Sequence, residues 1–553
     1  MTVMRAAFVL GSCSTCAIRP EVAARAPGSP LPNTHAYAKY LVSVKQRVMP
    51  RPRLCANGES DKRRRLRNLD LEFAAIALPA LAQCAAEPIA GLVDTAYLGR
   101  LGAATIGGAG VAISAHYATA KLFNDPLLRT SISLVATGDG AVRQQAAVAG
   151  RECGRPEVRE QAVSAALLLA VAVGLLQALF FLVFAPAMIS AMGAAADSPM
   201  RPVAISYLRL RGLGMPTATV WLVCNGIFRG LGDTSTPLLW ALLFNLFNVM
   251  LDPILIFPLG LGAAGAAAGT GISQSVALVG LLTVLKARTG AAIFSKGFWN
   301  VRRLAPSLLE YGSAGVLVFT RTFGKVFCYA YCTRAAARLG PVASAAHLLC
   351  FNLGVLLSQT CEAIAIATQT LLARTMGALR VASSVGRNSS ASGGAVGCGV
   401  NSTVALRDDA WHVMKLAGLL GGSIAGSLTV VTAIRPAVVV GGLTTDAAVR
   451  DACMSILTPV LCCQLFKGLA FPANAVVMGG LDWRFASIGI WLGSLLCLGL
   501  VHARTPPSLF TIWIGLSAFM ASQTLLSVGR FFSGTGPWAL LFPEAPHPHS
   551  TNR

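Results

Sequence analysis

Two carboxylates stand inside apolar stretches, where charge is costly. Asp94 lies in EPIAGLVDTAYLG and Asp252 in NLFNVMLDPILIF. A carboxylate at membrane depth is a functional candidate by default. Asn248 precedes Asp252 by four residues, which puts amide and carboxyl on one helix face. Thr270 follows in AAAGTGISQ. Two carboxyls, an amide and a hydroxyl are hard oxygen donors, suited to a proton or a sodium ion. Adjacent carboxyls titrate as a unit and can load and release one proton. Pro79 lies earlier in the first apolar stretch. It removes a backbone hydrogen bond and permits a kink. A bend that changed with protonation would link the ion to the path of a solute. The competing reading makes Asp94 a helix-end cap near Gly99, or pairs Asp252 with a lone basic residue.

A second set is mixed in sign. Arg321 and Lys325 share a helix face at i, i+4; Glu362 and Lys467 lie in later apolar stretches, and Asn124, Asp125 and Lys121 in an earlier one. Asn124, Arg321, Lys325 and Glu362 can line a cavity for an anionic solute. Equally, Glu362 can neutralise one of the cations in a structural pair. His116 and His347 stand alone and read as satisfied interior histidines. Most of the 15 cysteines sit in apolar stretches, as small hydrophobes do. Cys13 and Cys16 form a single CxxC with no partner pair, which is weak evidence for a metal. No metal and no cofactor is expected beyond the coupling ion. The chain has no Walker loop and no HExxH, so nothing points to an enzyme.

These residues need elements to hold them in place. Of 553 residues, 54% are hydrophobic and only 12% charged, against about 25% charged in an ordinary soluble domain. Apolar stretches of membrane-spanning length recur from residue 73 to 532, without the alternation of a β-barrel. The expected fold is an all-α membrane protein with twelve spans. The first six cover 73–98, 104–136, 160–190, 203–228, 236–258 and 262–286. The second six cover 308–334, 343–374, 412–438, 453–479, 485–502 and 509–532. Loops after even-numbered spans carry more Lys and Arg, which places them and both termini inside. The net charge of +22 is therefore assigned to loops and tail beside anionic lipid rather than to nucleic acid. The expected partners are a small organic solute and membrane lipid, and the expected state is a monomer.

The two sets of six spans echo each other. Arg100-Leu101-Gly102 precedes span 2 and Arg338-Leu339-Gly340 precedes span 8. NGIFRGLGD ends span 4 between Asn225 and Asp233, and NAVVMGGLD ends span 10 between Asn474 and Asp482. Six spans per half give both halves one orientation, so the repeat is parallel, with the solute site between two pseudo-symmetric six-helix bundles. The expected layout has a transit peptide or disordered tail over 1–58, a basic juxtamembrane segment over 59–72 and an N-lobe over 73–290. An inter-lobe loop over 291–307, a C-lobe over 308–532 and a tail over 533–553 follow. The Ser- and Gly-rich stretch 381–410 is expected as a flexible insertion. Residues 1–58 hold one acidic residue, Glu21, against eight basic ones. That imbalance fits an organelle transit peptide, and the chloroplast envelope is the expected membrane.

The stretches LVDTAYLGRLGAATIGGAGV, KLFNDPLL, YLRLRGLGMPTATVWLVCNGIFRGLGDTSTPLL, NLFNVMLDPILIFPLGLGAAGAAAGTGISQ and GLAFPANAVVMGGLDWRFAS carry a family likeness, as does the segment from Ala337 to the end of QTLLA. The chain resembles the multidrug and toxic-compound extrusion (MATE) transporters, and among them the chloroplastic DETOXIFICATION proteins of plants. The resemblance covers residues 79 to 490. It implies two six-helix bundles and antiport of organic cations, secondary metabolites or organic acids against protons or sodium. It also implies a cation site at Asp94, Asn248, Asp252 and Thr270, with Pro79 as the bending proline. The sequence departs from the family pattern in the 381–410 insertion. It also lacks the span 7 Glu of many eukaryotic members, so coupling is placed in the N-lobe. A lipid flippase of the same superfamily is the main alternative, and a membrane-embedded enzyme the weaker one.

Overall fold

The computed structural model describes residues 59–149, 156–192, 197–291, 300–392, 396–444, 446–503 and 508–542. The expected transit segment lies outside them. Fifteen α-helices form twelve spans. In the first half these are α1 (Glu59–Gly99), α2 (Ala103–Ala149), α3 (Pro156–Ala191), the pair α4 (Met200–Leu213) and α5 (Met215–Gly230), α6 (Ser235–Ile256) and α7 (Gly262–Thr289). The second half has α8 (Val301–Ala337), α9 (Pro341–Ser392), α10 (Val396–Ile434) with the short α11 (Pro436–Leu443), α12 (Ala447–Ser455) with α13 (Leu457–Gly479), α14 (Trp483–His502) and α15 (Leu509–Phe532).

Among the described residues, nine helices are long and apolar enough to cross a membrane by composition alone. Spans 2, 4 and 7 are not among the nine. Span 4 is broken at Gly214 into two short helices, with Pro216 near the start of the second. The long helices α2 and α8 carry Lys121, Asp125 and Arg129, and Arg321 and Lys325, well inside their length.

The stretch 381–410 corrects an expectation. It is helical over 381–392 and again from 396, as the end of α9 and the start of α10. Glycine weakens a helix by about 1 kcal/mol, whereas proline is the true breaker, and this stretch contains no proline. Its far end is anchored. Ala405 and Ala410 are buried, Arg407 Nε donates to the Leu540 carbonyl at 2.8 Å, and Asp409 pairs with Arg65 at 3.0 Å. The C-terminal stretch is also built in. A 3-10 turn, Gly536–Leu541, buries Trp538 completely, and its indole donates to Asp482 at 3.3 Å.

The halves share local geometry as well as helix order. Gly102 and Gly340, which close the two Arg-Leu-Gly turns, both take positive φ, 98° and 107°. Asp233 pairs with Arg288 at the end of α7 at 2.8 Å. Asp482 pairs with Arg530 at the end of α15 at 2.7 Å.

Polar contacts between the halves gather at the end that carries the start of α1 and the end of α15. Arg374 of α9 reaches Glu72 of α1 and Asp139 of α2. Gln369 Nε2 donates to Ser133 Oγ at 2.7 Å, and Ser133 Oγ to the Met478 carbonyl at 3.0 Å. Thr370 Oγ1 donates to the Arg229 carbonyl at 3.1 Å. The backbones of α2 and α9 touch there, because a Cβ on Gly140 or Gly377 would overlap the Arg374 or Thr137 carbonyl. Toward the other end the same helices are uncovered, Tyr117 being 60% and Val355 41% exposed. A cleft thus opens between the halves, with its floor at the closed end.

Candidate functional site

Asp252 is fully buried on α6, one turn after Asn248, whose Nδ2 donates to Asp252 Oδ1 at 2.7 Å. The Asp94 carboxyl of α1 comes within hydrogen-bonding reach of the Asp252 carboxyl. Asp94 Oδ1 and Asp252 Oδ2 are both buried with no donor among the described residues. Two carboxyls in contact, each with an orphaned oxygen, call for a proton or a cation between them. The fold makes room for this pair. A Cβ on Gly269 of α7 would overlap Asp252 Oδ1, so only glycine lets α7 pack here. The residues present fit a single proton or small cation.

Thr270, next to Gly269, turns its hydroxyl to its own helix and donates to the Ala266 carbonyl at 2.9 Å. It stands beside the pair without bonding to it. Two residues that sequence reasoning passed over face the pair: Arg211, at the end of α4, and the buried Tyr207 one turn before it. The signal was available, since YLRLRGLG puts arginines inside an apolar stretch.

Pro79 lies within the continuous helix α1. Lacking an N–H, it leaves the Ala75 carbonyl without its helical donor. Thr234 Oγ1 covers the break, reaching the Ala75 carbonyl at 3.4 Å and the Ile76 carbonyl at 2.8 Å. A proline whose freed carbonyl is held by a hydroxyl from another helix is a joint that can bend without exposing an unpaired group.

The second set meets at the floor of the cleft. Arg129 of α2 bridges the halves, pairing with Asp125 at 3.0 Å and with Glu362 of α9 at 3.1 Å. Thr322 Oγ1 of α8 donates to Asp125 Oδ2 at 3.3 Å. Lys121, Arg321 and Lys325 lie in electrostatic range of this group. Glu362 does pair with a cation, but the partner is Arg129, a residue the sequence reading had not singled out. Four cations therefore face two carboxylates. Arg321 is only 5% exposed, and its Nε has no partner among the described residues. Lys325 sits over the rings of Phe471 and Tyr329 at 5.0 and 5.9 Å. Asn124 is not brought to this group. Its Oδ1 accepts from Gln177 Nε2 at 2.8 Å and Thr219 Oγ1 at 3.2 Å inside the first bundle, which leaves the neighbouring Asp125 at the cleft. Lys467 is also spent elsewhere, on the Gly354 carbonyl at 3.1 Å.

A buried carboxyl pair in one bundle and a charged floor between two bundles is the layout of a transporter. The family model MatE matches residues 147–254. Protein DETOXIFICATION 44, chloroplastic, of Arabidopsis thaliana is 32% identical over 489 residues, covering 86% of this chain and 85% of that protein. The chain belongs to the MATE family. Protein DETOXIFICATION 45, chloroplastic, of the same plant is 29% identical, covering 84% of this chain and 79% of its own length. Among solved structures, a variant of the Vibrio cholerae MATE transporter VcmN matches with a TM-score of 0.69 at 15% identity, covering 86% of this chain and 99% of that one. The eukaryotic MATE transporter AtDTX14 matches with a TM-score of 0.66 at 14% identity, covering 86% and 98%. The twelve-span fold of two six-helix bundles is thus the MATE fold, and the chain is a transporter rather than an enzyme.

Proposed function

We propose that this MATE transporter is a proton-coupled antiporter that exports a small organic anion through the cleft between its halves. The Asp94–Asp252 pair carries the coupling reading. Asp252 is buried, the two carboxyls are in mutual reach, and two of their oxygens lack donors among the described residues. A proton between two carboxyls satisfies both orphaned oxygens, and its release leaves two like charges that repel. Asn248 holds one carboxyl in place, Thr270 borders the site, and the Thr234-covered joint at Pro79 lets α1 respond. Sodium is the second ion this donor set would take.

The solute class rests on the cleft floor. Among the described residues, two cations more than carboxylates face it, and Arg321 has an Nε without a partner there. A carboxylate group on the solute matches a guanidinium. The chloroplastic DETOXIFICATION relatives and the acid-poor N-terminal segment support placement in the chloroplast envelope.

The test is transport in vesicles made with the full chain, with pH and sodium gradients imposed separately. Radiolabelled benzoate, succinate and tricarballylate are compared with tetraphenylphosphonium as a cation. The expected result is carboxylate transport that follows the pH gradient and vanishes in Asp94→Asn and Asp252→Asn. Dependence on the sodium gradient alone would overturn the proton. Transport of tetraphenylphosphonium alone would overturn the anion. Transport untouched by both substitutions would overturn the coupling site and favour a facilitator or flippase.

A further inference from the structure

The coupling pair has a counterpart in the second half, lined with different chemistry. The two Arg-Leu-Gly turns are related by a shift of 238 residues, and the helices before them run unbroken, so the same shift carries Asp94 to Cys332. Asp233 and Asp482 are related by a shift of 249 residues, which along α6 and α14 carries Asn248 to Cys497. These two cysteines face each other as their counterparts' helices do, Cys332 Sγ lying 3.6 Å from Cys497 Sγ. Cys328, one turn before Cys332 on α8, joins them, and the three sulfurs all lie within 4.8 Å of one another. All three residues are 1% exposed or less. Glycine makes room here too, though not at the position the repeat would give. A Cβ on Gly515 of α15 would stand 3.0 Å from Cys497 Sγ, as one on Gly269 would crowd Asp252.

We propose that Cys328, Cys332 and Cys497 form a soft-metal site, set in the second half where the first half holds its coupling group, and that copper(I) is the ion it fits. Thiolates select copper(I) and zinc, whereas oxygen donors select hard ions. An ion bound trigonally about 2.3 Å from each sulfur holds the sulfurs about 4.0 Å apart, and the triad as folded spans that spacing. Structural zinc asks for a fourth ligand. The nearby Ser494 hydroxyl is committed to the Gly324 and Ile490 carbonyls at 3.2 and 2.8 Å, and all three cysteines belong to one hydrophobic cluster with Val501, Ile512 and Trp513. Three-coordinate copper(I) needs no further donor. Binding displaces thiol protons, so affinity rises with pH. The bound ion ties α8 to α14.

The full chain, purified in detergent under argon with a phosphine reductant, is titrated with copper(I) against bathocuproine disulfonate. Wild type is compared with Cys332→Ser, with the double variant Cys332→Ser/Cys497→Ser, and with Cys224→Ser, a buried thiol of the first half outside the triad. The expected result is one tightly held ion per chain, bound at least tenfold more weakly in Cys332→Ser and lost in the double variant. Cys224→Ser keeps it. X-ray absorption then shows three sulfur neighbours, and copper(I) raises the melting temperature of wild type but not of the double variant. Equal copper stoichiometry in wild type and double variant would overturn the proposal. So would a coordination shell without three sulfurs. If the double variant fails to fold, Cys328→Ser decides on the same readouts.

Discussion

The two halves of this transporter share a frame and differ in what the frame holds. In both, an Arg-Leu-Gly turn links the first two helices, and an Asp–Arg pair locks the start of the fifth span to the end of the sixth. Where the first half places Asp94 and Asn248, the second places Cys332 and Cys497. Asp252 corresponds to Val501, which is buried in the hydrophobic core. The comparison separates two kinds of residue. Most of those that close turns and join helix ends are the same in both halves, because the packing problem is the same. Those that line the buried centre differ, carboxyl and amide in one half and thiols in the other.

The sharpest way to break that comparison is to exchange chemistry at the two centres. Asp252→Asn is expected to reduce gradient-driven transport to the level of empty vesicles, while Cys497→Ser leaves it intact. Flux in the same vesicle preparation compares them directly. Loss in both would mean that the second half also takes part in coupling.

Next in size is the closed end, where the halves depend on each other. Arg374→Met removes the cation that joins Glu72 and Asp139 of the first half to α9. Removing one partner of a fully buried pair costs about 3–5 kcal/mol, and the cost here is expected to be lower, because Glu72 is a quarter exposed and Asp139 keeps Arg143 at 2.8 Å. The expected result is a clear drop in melting temperature and faster labelling of a cysteine placed at Thr137. An unchanged labelling rate would show that backbone contact at Gly140 and Gly377 holds the end shut without the ion pairs.

A smaller effect tests the two space-making glycines. Gly269→Ala forces a methyl into Asp252 Oδ1, and Gly515→Ala brings one to 3.0 Å from Cys497 and Val501. Overpacking a core costs about 1–3 kcal/mol. Both variants are expected to lose stability of that order in thermal unfolding, but only Gly269→Ala should lose transport. Equal loss of transport would place the second centre on the functional path.

What could be read in the sequence divides along the same line. Span count and the twelve-helix fold followed from apolar length and loop charge, and the parallel repeat from the paired Arg-Leu-Gly and Asn–Asp motifs with six spans per half. Asp94 and Asp252 were legible because lipid makes a buried carboxylate conspicuous. The thiol triad was not, since cysteine inside an apolar span looks like any small hydrophobe. Its one signal was Cys328 and Cys332 at i, i+4. Arg129 stood just beyond the residues singled out in its span, and its role depends on Glu362, 233 residues away. The 381–410 stretch misled because Ser and Gly are weak helix formers, while the anchors that hold it, Arg65 and Leu540, lie far off in the chain. Trp538 was passed over for the same reason, its partner Asp482 being 56 residues earlier.

The smallest effect is expected where the halves solve one turn with different residues. The turn before the fifth span needs positive φ, supplied by Gly232 at 78° in the first half and by Leu481 at 62° in the second. A left-handed conformation costs an L-residue about 1–2 kcal/mol, so Leu481 must recover that cost by other contacts. It packs on the hydrophobic cluster that fills the first half and also takes in Tyr311 of α8. Burying a leucine fully contributes about 1.5–3 kcal/mol, and Leu481 is half-buried, so strain and burial nearly offset each other. Leu481→Gly is therefore expected to change stability by less than about 1 kcal/mol, the strain relieved matching the packing lost. Gly232→Ala has no such compensation, because its Cβ would enter left-handed space 2.6 Å from the Arg374 guanidinium. Thermal unfolding of the two variants side by side measures the difference. A marked gain in stability for Leu481→Gly would show that the leucine contributes little packing between the halves. A marked loss would make it one of the contacts that hold the closed end together.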